Sequence, residues 1–449
     1  MKYSPSWQSL DSRTIPAWFR NAKFGIFIHW GVYSVPAWRK LEEESYASYA
    51  EWYYARVMYN EANGGKEFHD KNYGSEFEYR DFAPQFKAEL FDPHFYADLF
   101  EKAGAKYVVL TSKHHDGYCL WPTKNKHKKN WNVSDVGPKR DLVGELTNAV
   151  REKGLKMGLY YSIIEWESIP THRTQSGYFL PKHIIDKYGI SPTNYVNETL
   201  IPELKEIVNN YHPSLIFSDG GEWDLEEEFS QTKPFLTWLY NDSPVKDEIV
   251  VNDRFFKGMP GQHGDYYSSE YNDAQHVQNE NPWEESRGIG DSYGFNRAEN
   301  WNNYNTAKEL ILELVDIVSR GGNLLLNIGP NADGTIPVVM QERLIEIGRW
   351  LQINGEGIYD THRTETPSLL FENQQLYFTE KSDALYVFFT KWNSEIRFPW
   401  KKNKPTNAIL LGTDFHLDFE LKDNELIINI PRLTIDEIPC LHLWGVMIR

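Results

Sequence analysis

The sequence of 449 residues is poor in cysteine, has fewer basic than acidic residues and contains no long hydrophobic run. Its two cysteines, Cys119 and Cys440, lie far apart and predict neither a disulfide framework nor a metal site. No apolar run is long enough to span a membrane. The net charge of −17 disfavours nucleic acid, anionic membranes and strongly acidic polysaccharides as partners, because polyanions bind to positively charged protein surfaces.

Three sequence signals are also absent. The segment 1–8 lacks the hydrophobic stretch of a secretory signal peptide, so we expect a cytoplasmic protein, or a secreted or periplasmic one if a leader has been removed. No Gly-x-Gly-x-x-Gly or phosphate loop supports a nucleotide-binding open sheet. No Gly-x-Ser-x-Gly indicates a hydrolase with a serine nucleophile. Aromatic residues do make up 15% of the chain, and composition alone favours a well-packed core over a carbohydrate site.

Much of the chain repeats a unit of amphipathic helix, glycine and apolar strand. This pattern predicts a parallel sheet covered by helices. The predicted helices span 92–104, 141–153, 200–211 and 306–320, and the predicted strands span 24–28, 106–112, 157–162, 214–218, 248–251, 266–269 and 323–328. About seven strands approach the eight of a closed barrel. The segment 253–300 shows no clear helix, so we predict an irregular (β/α)8-like barrel over residues 1–356, with an open doubly wound sheet as the alternative.

The period changes after Gly355-Glu-Gly357. Seven short apolar runs separated by turn residues predict an antiparallel β-sandwich over residues 357–449. Asp423-Asn424, between two of these runs, is typical of a hairpin turn. The sandwich carries no obvious chemistry, and packing against the barrel is favoured over a sugar-binding role.

Two carboxylates are candidate catalytic groups. Asp219 follows an apolar strand and precedes Gly220-Gly221, where a substrate has room to approach; the alternative is a helix cap for the segment after Trp223. Glu284 follows Trp283, and burial beside tryptophan raises the pKa of a carboxyl group so that it can act as an acid. Glu285 is the competitor, and an exposed pair of loop glutamates is the ordinary alternative.

Histidines at predicted strand ends are candidate sugar-binding residues. His114 and His115 are adjacent in a strand and so point to opposite faces, which disfavours a shared metal ion. Their ring nitrogens suit hydrogen bonds to hydroxyl groups, as do those of His29 beside Trp30. The aromatic-rich stretch around Glu51 and Trp52 is a candidate loop over the barrel mouth. Arg254 lies just past a strand end. Each of these could also be an ordinary surface feature.

Seven segments in order along the chain resemble the α-L-fucosidases of glycoside hydrolase family 29. They are WFRNAKFGIFIHWGVYSVP (18–36), YVVLTSKHHDG (107–117), RDLVG (140–144), FSDG (217–220), WLYNDSPVKDE (238–248), VNDR (251–254) and GNLLLNIGP (322–330). The resemblance implies a retaining exo-glycosidase on a (β/α)8-like barrel with a C-terminal β-sandwich. It implies Asp219 as the nucleophile and Glu284 as the acid/base. It places the fucose hydroxyls on His29, Glu51, Trp52, His114, His115, Arg254 and Tyr160, with Tyr161 the alternative to Tyr160.

The hypothesis is that Asp219 attacks the anomeric carbon of a terminal α-L-fucosyl unit while Glu284 protonates the leaving oxygen. The substrate is a fucosylated oligosaccharide or glycoconjugate, and neither a metal nor a cofactor is predicted. Retaining chemistry requires carboxyl groups roughly 5–5.5 Å apart. The fucose methyl group should meet an apolar wall, for which Trp223 and Trp301 are candidates. A fucose-binding lectin and a metal-dependent hydrolase with His114 and His115 as ligands are the alternatives. An oligomer is possible, but the sequence does not predict one.

Overall fold

Eight parallel β-strands form the sheet that carries the candidate site. The computed structural model describes residues 2–41, 48–59, 64–170, 173–174, 177–271 and 281–449. The strands are β1 (Phe24–Ile28), β2 (Tyr107–Lys113), β3 (Lys156–Ser162), β4 (Leu215–Asp219), β5 (Val250–Val251), β6 (Tyr267–Glu270), β7 (Trp283–Gly288) and β8 (Asn323–Ile328). Strands that are neighbours in chain order pair in parallel, except β5 with β6, and β8 also pairs with β1.

The sheet curls into the predicted irregular barrel. Between β5 and β6 the backbone N–H of Asp265 donates to the carbonyl oxygen of Val251 (3.0 Å), and no regular ladder joins these two strands within the described part of the chain. The side chains of β1, β2 and β8 are all buried. Packing requires glycine at position 25, because a Cβ atom there would lie 2.4 Å from the ring of Tyr107, which fills the barrel interior.

Seven of these strands match the predicted ones within one or two residues at their ends. The eighth, β7, is not predicted, because its sequence WEESRG is charged where the other strands are apolar. The structure buries this strand all the same. Part of the segment predicted to be irregular, residues 272–280, lies outside the described residues.

Helices surround the barrel, and the four predicted ones are confirmed. Asp92 caps the first of these through the backbone N–H groups of His94 and Phe95, and Thr306 forms a capping box with Glu309. The α-helices span Trp7–Leu10, Ala17–Ala22, Gly65–Tyr73, Pro93–Lys102, Leu142–Glu152, Lys182–Tyr188, Pro192–Tyr195, Ile201–Tyr211, Gly221–Asp224, Glu227–Ser230, Thr232–Asn241, Ala307–Ser319 and Val338–Asn354. None of the helices in the described ranges is long and apolar enough to cross a membrane.

The C-terminal part is the predicted antiparallel sandwich, with one more strand than predicted. Its strands are β9 (His362–Phe371), β10 (Gln374–Glu380), β11 (Leu385–Phe389), β12 (Glu395–Pro399), β13 (Ala408–Leu410), β14 (Phe419–Lys422), β15 (Glu425–Asn429) and β16 (Trp444–Ile448). They form a five-stranded sheet ordered β9-β10-β11-β16-β13 and a three-stranded sheet ordered β12-β15-β14. Asp423 and Asn424 both have positive φ, which confirms the hairpin turn.

The larger sheet of the sandwich packs against the last helix of the barrel. Trp350 donates its indole N–H to the carbonyl oxygen of Leu443 (2.8 Å), and its ring lies 5.8 Å from that of Phe388. Tyr386, Phe388 and Leu443 belong to the same hydrophobic core as the barrel. A second core lies between the two sheets of the sandwich. The sandwich therefore makes the packing contacts that the sequence favours.

Candidate active site

A cavity of about 390 Å³ opens at the carboxyl ends of the barrel strands. This is the end of a parallel barrel where active sites form. The predicted residues that line it are His29, Glu51, Trp52, His114, His115, Tyr160, Asp219, Trp223 and Arg254. The unpredicted ones are Phe27, Tyr49, Arg56, Phe217, Glu222, Pro260, Ser268, Glu270 and Tyr293. Glu284, the remaining predicted catalytic residue, is elsewhere.

Asp219 is held in the cavity by three neighbours. The Tyr160 hydroxyl donates to its Oδ2 (2.8 Å), and Arg254 Nη1 donates to its Oδ1 (3.2 Å). His115 Nε2 lies 3.4 Å from Oδ2. Burial raises the pKa of Asp219, but hydrogen bonding and charge from His115, with Arg254 and Tyr160, outweigh burial and hold the pKa well below its ordinary value. The carboxylate is therefore ionised and oriented, as a nucleophile must be.

The strand alternation of β3 decides between Tyr160 and Tyr161. Tyr160 faces the cavity, whereas the hydroxyl of Tyr161 donates to Glu203 (2.8 Å) and accepts a hydrogen bond from Lys113 Nζ (2.7 Å). These partners lie in a buried charged cluster outside the cavity, with Lys113 also donating to Glu165. The preference for Tyr160 is therefore consistent with its position.

Glu284 lies inside the barrel but away from the cavity. It is the second residue of β7, pairs with Asn323 at the start of β8, and accepts a hydrogen bond from the Tyr107 hydroxyl. Its side chain is fully buried, and burial raises its pKa to about 8. The expected rise in pKa is therefore present, but the group faces the amino-terminal half of the barrel. The assignment of Glu284 as the acid/base is corrected on this ground.

Glu285 does not replace Glu284 as the candidate acid/base. This residue alternates to the outer face of β7, where its carboxylate accepts hydrogen bonds from the Ser269 hydroxyl and from Arg287 Nε (2.8 Å). Both partners belong to the layer between the sheet and the helices, and Arg287 also pairs with Glu313 of the helix Ala307–Ser319. Neither of the two adjacent glutamates reaches the cavity.

Glu270, the last residue of β6, is the carboxylate that faces Asp219. Arg254 Nη1 donates to its Oε1 (2.9 Å). Burial raises the pKa of Glu270, Arg254 lowers it and the charge of Asp219 raises it, with a net increase. A signal for it existed in the sequence, because Glu270 directly follows the predicted strand 266–269, as Asp219 follows its own strand. This acidic residue at a strand end was overlooked in the sequence analysis.

Arg254 sets the distance between the two carboxylates. One nitrogen, Nη1, lies within 3.2 Å of both Asp219 Oδ1 and Glu270 Oε1. These oxygens are therefore separated by less than twice that distance, which is compatible with the roughly 5–5.5 Å of retaining pairs. Arg254 is itself positioned by Ser268, whose hydroxyl accepts from Arg254 Nε (2.8 Å) and donates to Asp253 (2.7 Å).

His29 and His114 present neutral rings to the cavity. Asn327 donates its Nδ2 hydrogen to the carbonyl oxygen of Tyr293, so its Oδ1 accepts from His29 Nδ1 (2.7 Å) and leaves His29 Nε2 as an acceptor. Burial lowers the pKa of His29 to about 4 and that of His114 well below its ordinary value. His114 Nδ1 is buried and has no hydrogen-bond partner among the described residues. Both rings can therefore bind hydroxyl groups.

Glu51 and Trp52 form part of the cavity wall, in the mouth segment that the sequence indicates. Glu51 Oε2 accepts from the backbone N–H of Gly294 (2.8 Å), while the buried Oε1 has no partner in the part of the chain that the structure describes. Burial raises the pKa of Glu51 to about 8. The ring of Trp52 lies 5.5 Å from that of Trp223 and 4.4 Å from the guanidinium carbon of Arg56.

Comparisons with known proteins identify the family of this chain. The family model described as "Alpha-L-fucosidase" matches residues 1–356. The chain belongs to the α-L-fucosidase family. It is 41% identical to the tissue α-L-fucosidase of Rattus norvegicus over an alignment of 449 positions that covers 98% of this chain and 91% of that protein. It is 40% identical to the tissue α-L-fucosidase of Homo sapiens, with 99% of this chain and 91% of that protein covered.

Solved structures give the same result for the fold. The α-fucosidase of Thermotoga maritima in complex with a mechanism-based inhibitor superimposes with a TM-score of 0.84 at 38% identity, covering 99% of this chain and 100% of that chain. The same enzyme in complex with fucose gives a TM-score of 0.84 at 36% identity, with both chains fully covered. The predicted family, barrel and enzyme class, a glycoside hydrolase, are therefore confirmed.

Only one of the two tryptophans predicted to form an apolar wall reaches the cavity of this α-L-fucosidase family member. Trp223 lines the cavity, and its ring lies 5.0 Å from that of His115. Trp301 is 63% exposed and packs against the guanidinium group of Arg343 (5.1 Å). It lies on an outer 3₁₀ turn, and Phe27 and Phe217 supply apolar surface in the cavity instead.

Proposed function

We propose that this protein is an exo-acting retaining α-L-fucosidase that releases terminal α-L-fucosyl residues from oligosaccharides or glycoconjugates by double displacement. The observation that carries the proposal is the contact of Asp219 and Glu270 with one nitrogen of Arg254 in one cavity at the carboxyl ends of the strands. Family membership supports the sugar, and the complexes of the Thermotoga maritima enzyme with fucose and with a mechanism-based inhibitor support the substrate class and the covalent route.

In the first step Asp219 attacks the anomeric carbon and the bond to the leaving oxygen breaks. Glu270 gives its proton to that oxygen, so an ester joins Asp219 to the sugar and the aglycone departs neutral. The electrostatics suit these roles, because Asp219 is held ionised while the pKa of Glu270 is raised. The Tyr160 hydroxyl and Arg254 orient the attacking carboxylate.

In the second step the same glutamate acts as a base. The charge of Asp219 contributes to the raised pKa of Glu270, and this charge disappears when Asp219 becomes an ester. The pKa of Glu270 then falls, and the carboxylate can take a proton from water. The water oxygen attacks the anomeric carbon from the face that the aglycone left, Asp219 is released, and the configuration is retained.

The remaining polar groups hold the sugar. His29 Nε2, His114 Nδ1 and Glu51 Oε1 are oriented into the cavity with capacity for hydroxyl groups. Phe27 and Phe217, whose rings lie 5.0 Å apart, close the cavity from inside the barrel, and with Trp223 they offer an apolar surface for the methyl group of fucose. A blind cavity accepts a chain end and not a chain interior, which supports exo action.

The direct test is to follow hydrolysis of an aryl α-L-fucoside by NMR with the whole protein. Release of α-L-fucose as the first anomer is the expected result. Release of the β anomer first would contradict the retaining route, and binding of the fucoside without turnover would favour a lectin. Activity that disappears with a chelator and returns with metal would favour the metal-dependent alternative.

A further inference from the structure

Glu222 is a titratable group in the cavity that has no part in the proposed mechanism. Glu222 is the second residue of the short helix Gly221–Asp224, which is separated from Asp219 by Gly220 alone. Its side chain is 14% exposed and lines the cavity, and its Oε1 lies 3.9 Å from Arg254 Nη1. Its Oε2 is buried and has no hydrogen-bond partner among the residues described. A buried polar atom without a partner is costly unless a ligand supplies one.

The position of Glu222 is imposed by the backbone around it. Gly220 has a φ of 83° and lies so close to Ile164 that a Cβ atom would be 2.7 Å from its side chain. A Cβ atom on Gly221 would lie 2.2 Å from the carbonyl oxygen of Phe255. The helix turn is therefore packed directly on the segment that carries Arg254, and Glu222 is held beside the two catalytic carboxylates.

The charge balance around Arg254 disfavours ionisation of the Glu222 carboxyl group. Nη1 of this arginine already contacts Asp219 and Glu270. Burial, and next the charge of Asp219, raise the pKa of Glu222 well above its ordinary value. A neutral carboxyl group can donate one hydrogen bond and accept others, which matches a hydroxyl group as partner.

The depth of Glu222 in the cavity indicates which hydroxyl group its carboxyl group would bind. Phe27, Tyr160 and Phe217 are strand residues and lie deep in the barrel, where the terminal sugar would rest. Glu222 and Pro260 line the cavity from segments beyond the strand ends. A blind cavity filled by one sugar places the next sugar at this level. Arg254 also joins Glu222 to Glu270, which faces the leaving oxygen in the proposed function.

We propose that the Glu222 carboxyl group binds a hydroxyl group of the sugar that leaves, and so contributes to leaving-group specificity. The inference rests on the proposed function, since it assumes that Glu270 is the acid. It predicts an effect that depends on the substrate. An aryl leaving group has no sugar hydroxyl to bind, whereas a fucosyl disaccharide does.

The test compares kcat/KM of Glu222→Ala and Glu222→Gln on an aryl α-L-fucoside and on a panel of fucosyl disaccharides that differ in linkage. For Glu222→Ala we expect the loss on at least one disaccharide to exceed the loss on the aryl fucoside by about tenfold or more, the scale of one lost hydrogen bond. Glu222→Gln, which keeps a donor and an acceptor, should recover most of this difference. The exposed Glu228→Gln is the matched control and should change neither substrate.

Two outcomes would overturn the inference: equal losses on aryl and disaccharide substrates, or a Glu222→Gln enzyme as impaired on disaccharides as Glu222→Ala. Equal losses would mean that Glu222 acts through Arg254 or Asp219. The inhibition constant of free L-fucose provides a further readout, because it should change less than the disaccharide KM. A wild-type protein that hydrolyses neither substrate would instead contradict the proposed function, and this result is distinguishable from both.

Discussion

Glu270 and Glu284, on neighbouring barrel strands, both have raised pKa values but lie near opposite ends of the barrel. Glu270, at the carboxyl end of β6, faces a cavity, a cation and a second carboxylate. Glu284, near the amino end of β7, is fully buried against Tyr107. Burial is the first cause of the raised pKa in both. A raised pKa therefore identifies a buried acid, and access to a substrate and to a partner group makes it catalytic.

The largest effect should come from Asp219→Gly, because it removes the proposed nucleophile. We expect kcat on an aryl fucoside to fall on the order of 10⁴–10⁶-fold, as for the loss of a central catalytic group. Azide should restore turnover and yield β-L-fucosyl azide, since the small anion attacks from the vacated side. A variant with wild-type turnover, or one rescued to the α azide, would contradict the nucleophile assignment.

Removal of the Glu270 carboxyl by Glu270→Ala should lower kcat/KM on fucosyl disaccharides by about 10²–10⁴-fold, the range of acid–base catalysis. Aryl fucosides with acidic leaving groups should lose less in their first step, and azide should give the α azide. The wild-type enzyme should lose activity as pH rises through the raised pKa of Glu270, and this alkaline limb should be missing in the variant. An alkaline limb that persists would point to another acid.

Tyr160→Phe and Tyr161→Phe form a matched pair on one strand. Loss of the Tyr160 hydrogen bond to the ionised Asp219 should lower kcat/KM by about tenfold to a hundredfold. It should also raise the pKa of Asp219, so the acid limb of the pH profile should move to higher pH. Tyr161→Phe should lower the melting temperature while changing kcat/KM far less. Equal kinetic effects of the two variants would contradict the predicted division of roles.

Glu284→Gln should have the smallest effect on activity, a change in kcat/KM of less than about threefold, which is far below the effect of removing an acid/base group. Its effect on stability should depend on pH. Because folding raises the pKa of Glu284 from 4.5 to about 8, its contribution is fully present below pH 4.5 and is lost as pH rises towards 8. The free energy of unfolding should fall by up to about 1.4 kcal/mol per pH unit in this window.

The amide cannot titrate, so this part of the pH dependence should be missing in Glu284→Gln. Denaturant unfolding of both proteins across this pH range measures the difference. Wild type should lose stability relative to the variant as pH increases. Parallel pH profiles, or a kinetic loss comparable to that of the Glu270 variant, would contradict the comparison between the two ends of the barrel.

Sequence patterns predicted most of the fold because each barrel unit is locally consistent. Apolar runs such as Asn323–Ile328 and capped helices such as the one after Asp92 need no long-range information to be recognised. Strand β7 was missed since its charged side chains are satisfied by distant partners, Tyr107 for Glu284 and Ser269 for Glu285. Because this strand was not predicted, Glu284 was treated as a loop residue that could reach the active site. The resemblance then implied it as the acid/base.

By itself the sequence determined the family, the strand that ends at Asp219 and the histidines that face the cavity, because these depend on local order along the chain. Only the tertiary structure decided which glutamate joins Asp219. That choice depends on the register of β6 and β7, in which Glu284 pairs with Ser268, two residues before Glu270. Residues 219, 254 and 270 meet at one guanidinium nitrogen only when three strands close side by side, and no spacing along the chain encodes that contact.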